Sequence, residues 1–113
     1  VSVEVRWYGD RGKARIGAIK GLQLATEMLL EYANRTVPIE EGTLQRSGTA
    51  SVDDEKLEGG VSYDTKYAVK QHEDTRLRHD PGRRAKWLEL SLNEINGELK
   101  FVIADSIRKE LGM

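Results

Sequence analysis

Two histidines, His72 and His79, stand among the acidic side chains Glu73, Asp74 and Asp80, residue types that can ligate transition metals. Their spacing matches neither a helical i, i+4 pair nor a zinc pattern, so they read as surface residues of a polar loop. No serine lies in a G-x-S-x-G elbow, the strained turn that exposes a catalytic hydroxyl. The carboxylates Asp53, Asp54, Glu55 and Glu58 crowd one hairpin turn. Paired acids there would need a cleft to do general acid–base work, and solvated charge is the plainer reading. The residue types therefore point away from an enzyme, with no cofactor and no metal expected.

The richest chemistry is cationic. Arg76, Arg78, His79, Arg83 and Arg84 share the stretch from Asp74 to Arg84 with only Asp74 and Asp80 against them, and Asp80-Pro81-Gly82 marks a turn. Two readings stand side by side: a solvated, flexible connection, or an arm that orders on an acidic protein surface or a phosphate backbone. Arginine's planar fork suits either acceptor. Trp87, just beyond, reads as a core anchor in preference to a contact aromatic, because Leu88 and Leu92 continue the same apolar run.

Elements must position that loop. Val1, Val3, Val5 and Trp7 alternate with Ser2, Glu4, Arg6 and Tyr8, the period of a strand with one buried face. Gly9 and Asp10 break it, and Asp10 is the expected N-cap of a helix from about Arg11 to Arg35. Ala18, Leu22, Ala25, Leu29 and Tyr32 form its apolar stripe, widened by Ile19, Leu30 and Ala33. Gly12, Gly17 and Gly21 fall in its first half. They imply either a frayed start, each costing up to about 1 kcal/mol against alanine, or a packing interface with another backbone, such as a neighbouring subunit.

Val37-Pro38 ends that helix, and Ile39 to Gly48 reads as a loop or short helical turn. Thr49–Asp53 and Leu57–Tyr63 form an expected hairpin around Asp54-Glu55-Lys56, with Gly59-Gly60 permitting a bulge or bend. A short helical turn is expected from Tyr67 to His72. A helix opening at Ala85 to Trp87 then carries Leu88, Leu92, Ile95, Leu99, Val102, Ile103, Ile107 and Leu111 to the end, with a kink allowed at Gly97. The fold class is α+β: a small, mostly antiparallel sheet packed against two long helices, N-terminal and C-terminal.

Composition bounds the rest. At 113 residues, 38% hydrophobic and 33% charged, the chain fits a single domain, 1–113, with 74–84 as a flexible basic loop. A net charge of −1 argues against a surface built throughout for phosphate, so any nucleic-acid role is local. The absence of cysteine excludes disulfides and thiolate catalysis. No apolar run reaches bilayer length and no signal sequence precedes the first strand, so a soluble protein made in a cytoplasm is expected, without a membrane partner.

One stretch carries a family likeness. V-S-Y-D-T-K-Y-A-V-K-Q-H-E-D from Val61 to Asp74, then a basic loop, then A-K-W-L-E-L-S-L-N-E from Ala85 to Glu94, resembles the minor capsid or neck proteins of tailed bacteriophages. Those proteins place a Y-A-x-x-Q-H-E segment after a strand and open the next helix with A-K-[aromatic]-L. The V-P-I-x-x-G-T-L-x-x-S segment from Val37 to Ser47 is similar too, and the likeness runs from about Ala18 to Leu99.

The resemblance implies a structural virion protein at the head–tail junction, made in the bacterial host cytoplasm. It would form a homo-oligomeric ring that joins the DNA-filled head to the tail, as a head-completion, tail-to-head joining or tail-terminator protein. Its partners would be further copies of itself, the portal, an adaptor or stopper, and tail-tube proteins, with a transient contact to passing DNA. The alternative is a small nucleic-acid-binding protein using the same loop. On the ring reading, replacing Arg76, Arg78, Arg83 and Arg84 by Ser is expected to spare folding and impair assembly.

Overall fold

Residues 1–9, 12–38, 43–65, 68, 73 and 83–113 are described by the structure, a computed structural model. Strand β1 (Ser2–Arg6) leads to helix α1 (Arg15–Asn34) and a short helix α2 (Thr43–Arg46). The hairpin of β2 (Thr49–Asp53) and β3 (Glu58–Ser62) follows, and helix α3 (Trp87–Glu110) ends the order. The three strands form one antiparallel sheet in the order β1-β3-β2. This is the expected α+β arrangement of a small sheet with a long helix at each end.

Alternation decides which face of the sheet is covered. Val3 and Val5 on β1 and Ala50 and Val52 on β2 are half-buried against the core, while their neighbours Ser2, Glu4, Arg6, Thr49, Ser51 and Asp53 are exposed. Helix α1 lies over the covered face with Leu22, Ala25 and Leu29 fully buried; each leucine withdrawn from water contributes about 1.5–3 kcal/mol. The stripe read from the sequence is the one that packs, with Ile19 and Leu30 at its margin.

Glycine sets how closely these layers approach. A Cβ at Gly17 would stand 2.6 Å from the Cα of Ile107, and one at Gly21 would stand 2.7 Å from the Cα of Ile103. Both glycines are buried in α1, so they are seats for the backbone of α3 and not signs of a frayed start. The close-packing alternative thus holds within the chain: the backbone they receive is the C-terminal helix. Gly12 is exposed and lies ahead of the helix, its carbonyl accepting from the Arg15 N–H at 3.1 Å.

Three further expectations are revised. Helix α1 starts at Arg15 with Ala14 as N-cap and no side-chain cap, so Asp10, itself outside the described residues, is not its cap. The register through Gly59 and Gly60 is unbroken, Gly59 opposite both Val5 and Val52, so there is no bulge. Gly59 instead makes room for α1, because a Cβ there would stand 2.6 Å from Cγ2 of Thr26. Helix α3 begins at Trp87, within the expected opening from Ala85 to Trp87, and continues through Gly97 to Glu110. Leu111, expected in the apolar stripe, is exposed.

The hairpin turn hides a conformational cost. Leu57 has φ of 53°, a left-handed conformation that costs a non-glycine residue about 1–2 kcal/mol. Its side chain is fully buried, and that burial offsets the strain. Asp53 fixes the other side of the turn, accepting from the N–H groups of Glu55 at 3.0 Å and Lys56 at 3.1 Å. Those bonds hold its carboxyl below the usual range, the Lys56 N–H foremost.

Candidate functional site at the roots of the basic loop

The chain leaves β3 through Tyr63 and leads into α3 through Arg83 and Arg84, and both ends fasten to one place. Tyr63 and Trp87 are fully buried, their rings meeting edge to face at 5.3 Å between centroids. Trp87 is thereby the core anchor of α3. The Tyr63 hydroxyl donates to Oδ1 of Asn34 at 2.6 Å. Burial pushes that hydroxyl's pKa up to about 12, with an opposing hydrogen bond from Trp87.

Asn34 is the last residue of α1, where backbone carbonyls lack helical partners. Its carbonyl accepts from Nη1 of Arg83 at 2.9 Å and from Nε2 of Gln45 on α2 at 3.1 Å. Arg83 also reaches the Val37 carbonyl at 3.5 Å, and the Arg84 N–H donates to the Thr36 carbonyl at 2.9 Å. One asparagine thus ties together the end of α1, helix α2, the exit from β3 and the return of the loop.

Arg84 continues the attachment outward. Its Nη1 donates to Oε2 of Glu94 at 3.2 Å, and its Nη2 donates to Oε1, a two-pronged pairing. The Tyr32 hydroxyl donates to the same carboxylate at 3.2 Å. Glu94 is accordingly held below the usual carboxylate range, chiefly by Arg84, and Arg84 is held above its ordinary value by Glu94. Lys86, at φ of 54°, pairs with Glu73 at 2.8 Å and Glu89 at 3.5 Å.

The sequence-derived contact set therefore divides. Arg83 and Arg84 are tied to the chain's own carbonyls and to Glu94, so replacing them would remove these internal bonds as well as any partner contact. Arg76, Arg78 and His79 lie outside the described residues, as does the expected turn from Tyr67 to His72 apart from Ala68, which is buried. Asn34 was missed, and its position at the helix end just before Val37-Pro38 is the one signal that could have found it.

Other chemistry is sparse in the described part. No group of three or more His, Asp or Glu residues there is placed to hold a metal. Ser106 and Lys109 have S-x-x-K spacing on α3, overlooked in the sequence. Ser106 packs toward Gly21 and Lys109 pairs with Asp105 at 3.0 Å, so the two do not form a nucleophile and base. A concave surface at the end of the sheet is lined by Arg6, Trp7, Tyr8 and Lys56, where Arg6 already donates to Glu58 at 2.8 Å. No described helix is long and apolar enough to cross a membrane.

Comparison with family models, with curated proteins and with solved structures gives no match.

Proposed function

We propose that this chain is a structural subunit of a bacteriophage head–tail junction, acting in a homo-oligomeric ring between the DNA-filled head and the tail. The observation that carries the reading is the pinning of both loop roots to the Asn34–Tyr63–Trp87 cluster. Tyr63 lies in the first of the two stretches that resemble neck proteins, four residues ahead of the Tyr67 of its Y-A-x-x-Q-H-E run, and Trp87 is the aromatic of the second, so their contact joins the two stretches. A segment presented to a partner ring needs rigid roots, since affinity is lost to every residue that must be ordered on binding.

Nucleic-acid binding through the same loop is the weaker reading. Two of its four arginines already have protein acceptors, and each phosphate contact must be made by a cation free to leave water for it.

The test is to switch off the gene in the producing phage or prophage and to image particles by electron microscopy beside a complemented control. Filled heads lying apart from normal tails would assign head–tail joining, and tails of uncontrolled length would assign tail termination. Whole, infectious virions would overturn the reading.

A further inference from the structure

Both outer strands of the sheet end in an edge that no described residue pairs, and their hydrogen-bonding directions are fixed by the interior strand. Tyr63 N–H donates to the Val1 carbonyl and Trp7 N–H to the Leu57 carbonyl. In an antiparallel ladder bonded and non-bonded pairs alternate, so Val3 and Val5 also turn toward β3. Ser2, Glu4 and Arg6 therefore point their backbone groups out of the sheet. On the far side Glu58, Gly60 and Ser62 of β3 face Asp53, Ser51 and Thr49, which leaves Ala50 and Val52 pointing outward from β2.

We infer that β2 of one copy adds to β1 of the next as a parallel strand pair, with Val52 opposite Val5 and Ala50 opposite Val3 of the second copy. This inference rests on the ring reading above and names the joint between its subunits. Both strands run antiparallel to β3, so they are parallel to each other and copies repeat in one direction. In a parallel ladder an outward residue bonds to the two residues flanking its opposite number. Val52 would thus bond to Glu4 and Arg6 of the second copy, both of which point outward.

Side chains select the register. It sets Val52 beside Val5 on the covered face, and on the exposed face it sets Asp53 beside Arg6 and Ser51 beside Glu4. A shift of two residues toward the start of β1 keeps the hydrogen bonds but puts Asp53 beside Glu4, a like-charge pair that is unfavourable directly across strands, and a shift the other way takes Asp53 from Arg6 to Tyr8 and loses the opposite-charge pair. A joint that uses two different edges is heterologous, the kind that closes rings.

The chain has no cysteine, so introduced thiols report alone. Within one chain positions 4 and 51 flank Gly60 on opposite sides, two strand spacings or about 10 Å apart, beyond disulfide reach. Full-length Glu4→Cys and Ser51→Cys proteins, mixed and oxidised, should give the mixed dimer as the main product and neither homodimer. Val52→Pro, which removes an outward N–H together with a little packing against the core, should keep the circular dichroism spectrum and abolish larger species by light scattering. An E4C homodimer as the main product, or no disulfide at the highest soluble concentration, overturns the joint. Detached heads and tails on loss of the gene, combined with absent crosslinks, would sink the joint and leave the neck reading standing. Crosslinks in a protein whose loss leaves whole virions would do the reverse.

Discussion

Tyr63 meets Trp87 edge-on and passes a hydrogen bond to Asn34, so a strand exit, a helix start and a helix end share one buried contact. The pair bridges a stretch of chain whose closure costs entropy, and its rigidity determines how that stretch is held. Trp87→Ala should cost about 3–5 kcal/mol in urea unfolding, the range for emptying a buried aromatic site. Tyr63→Phe should cost about 1–2 kcal/mol, because it strips Oδ1 of Asn34 of its donor while keeping the ring. Equal costs for the two would mean that the hydroxyl, and not the ring packing, holds the cluster.

The same hydroxyl gives an alkaline signature. Its folded pKa of about 12 lies above the ordinary value of 10.0, so between these limits the folded state keeps a proton that the unfolded state releases. Stability from this group is whole below about pH 10 and falls by about 1.4 kcal/mol per pH unit up to about pH 12. Subtracting the pH profile of Tyr63→Phe from that of the parent isolates the effect. Parallel profiles across that window would show that the hydroxyl titrates normally.

Three glycines on the helices should respond in opposite directions to one substitution. Gly17→Ala and Gly21→Ala each gain up to about 1 kcal/mol of helix propensity, but they drive a methyl into the backbone of Ile107 or Ile103. Overpacking of this kind costs about 1–3 kcal/mol, and backbone yields less readily than a side chain, so both should lower the melting temperature. Gly97→Ala meets nothing within 4 Å and should raise it. A rise at position 17 or 21 would mean that the helices can part without loss.

These glycines also mark where the sequence stops being legible. The strands, both long helices and the apolar stripe of α1 follow from periods of two and 3.6 residues, and Trp87 was read as a core residue from its apolar neighbours. A glycine carries no side chain to reveal a direction. Gly17 and Gly21 therefore left a frayed start and a close-packed backbone as alternatives, and Gly59 left room for a bulge or bend, until the partners across from them were in place. Asn34 was hidden for another reason: its partners Gln45, Tyr63 and Arg83 are distant in sequence and come together only when the helix and hairpin have packed. Arg83 and Arg84 looked like free cations because charge is visible in a sequence and its acceptors are not.

Ser91 offers a stabilising change. It is fully buried in α3, and its hydroxyl has no hydrogen-bond partner among the described residues. An unmet buried hydroxyl costs about 1–3 kcal/mol, and alanine is the better helix former. Ser91→Ala should therefore increase stability by about 1 kcal/mol in urea unfolding. A loss would indicate that the hydroxyl is satisfied by ordered water.

Arg83 separates the roots of the loop from its reach. Its guanidinium caps the carbonyl at the end of α1, and a charge-assisted bond of this kind contributes about 1.5–3 kcal/mol. Arg83→Ala should lower stability by an amount toward the bottom of that range, because the side chain is only half-buried and water can replace part of the bond. Arg83→Lys should recover little of the loss, since a point charge does not reproduce the planar donors that reach both Asn34 and Val37. Replacing Arg76 and Arg78 by Ser in the otherwise native chain then isolates the partner contact. That variant should unfold at the parent's urea midpoint and reduce infectious yield, whereas full yield would remove these two arginines from the junction.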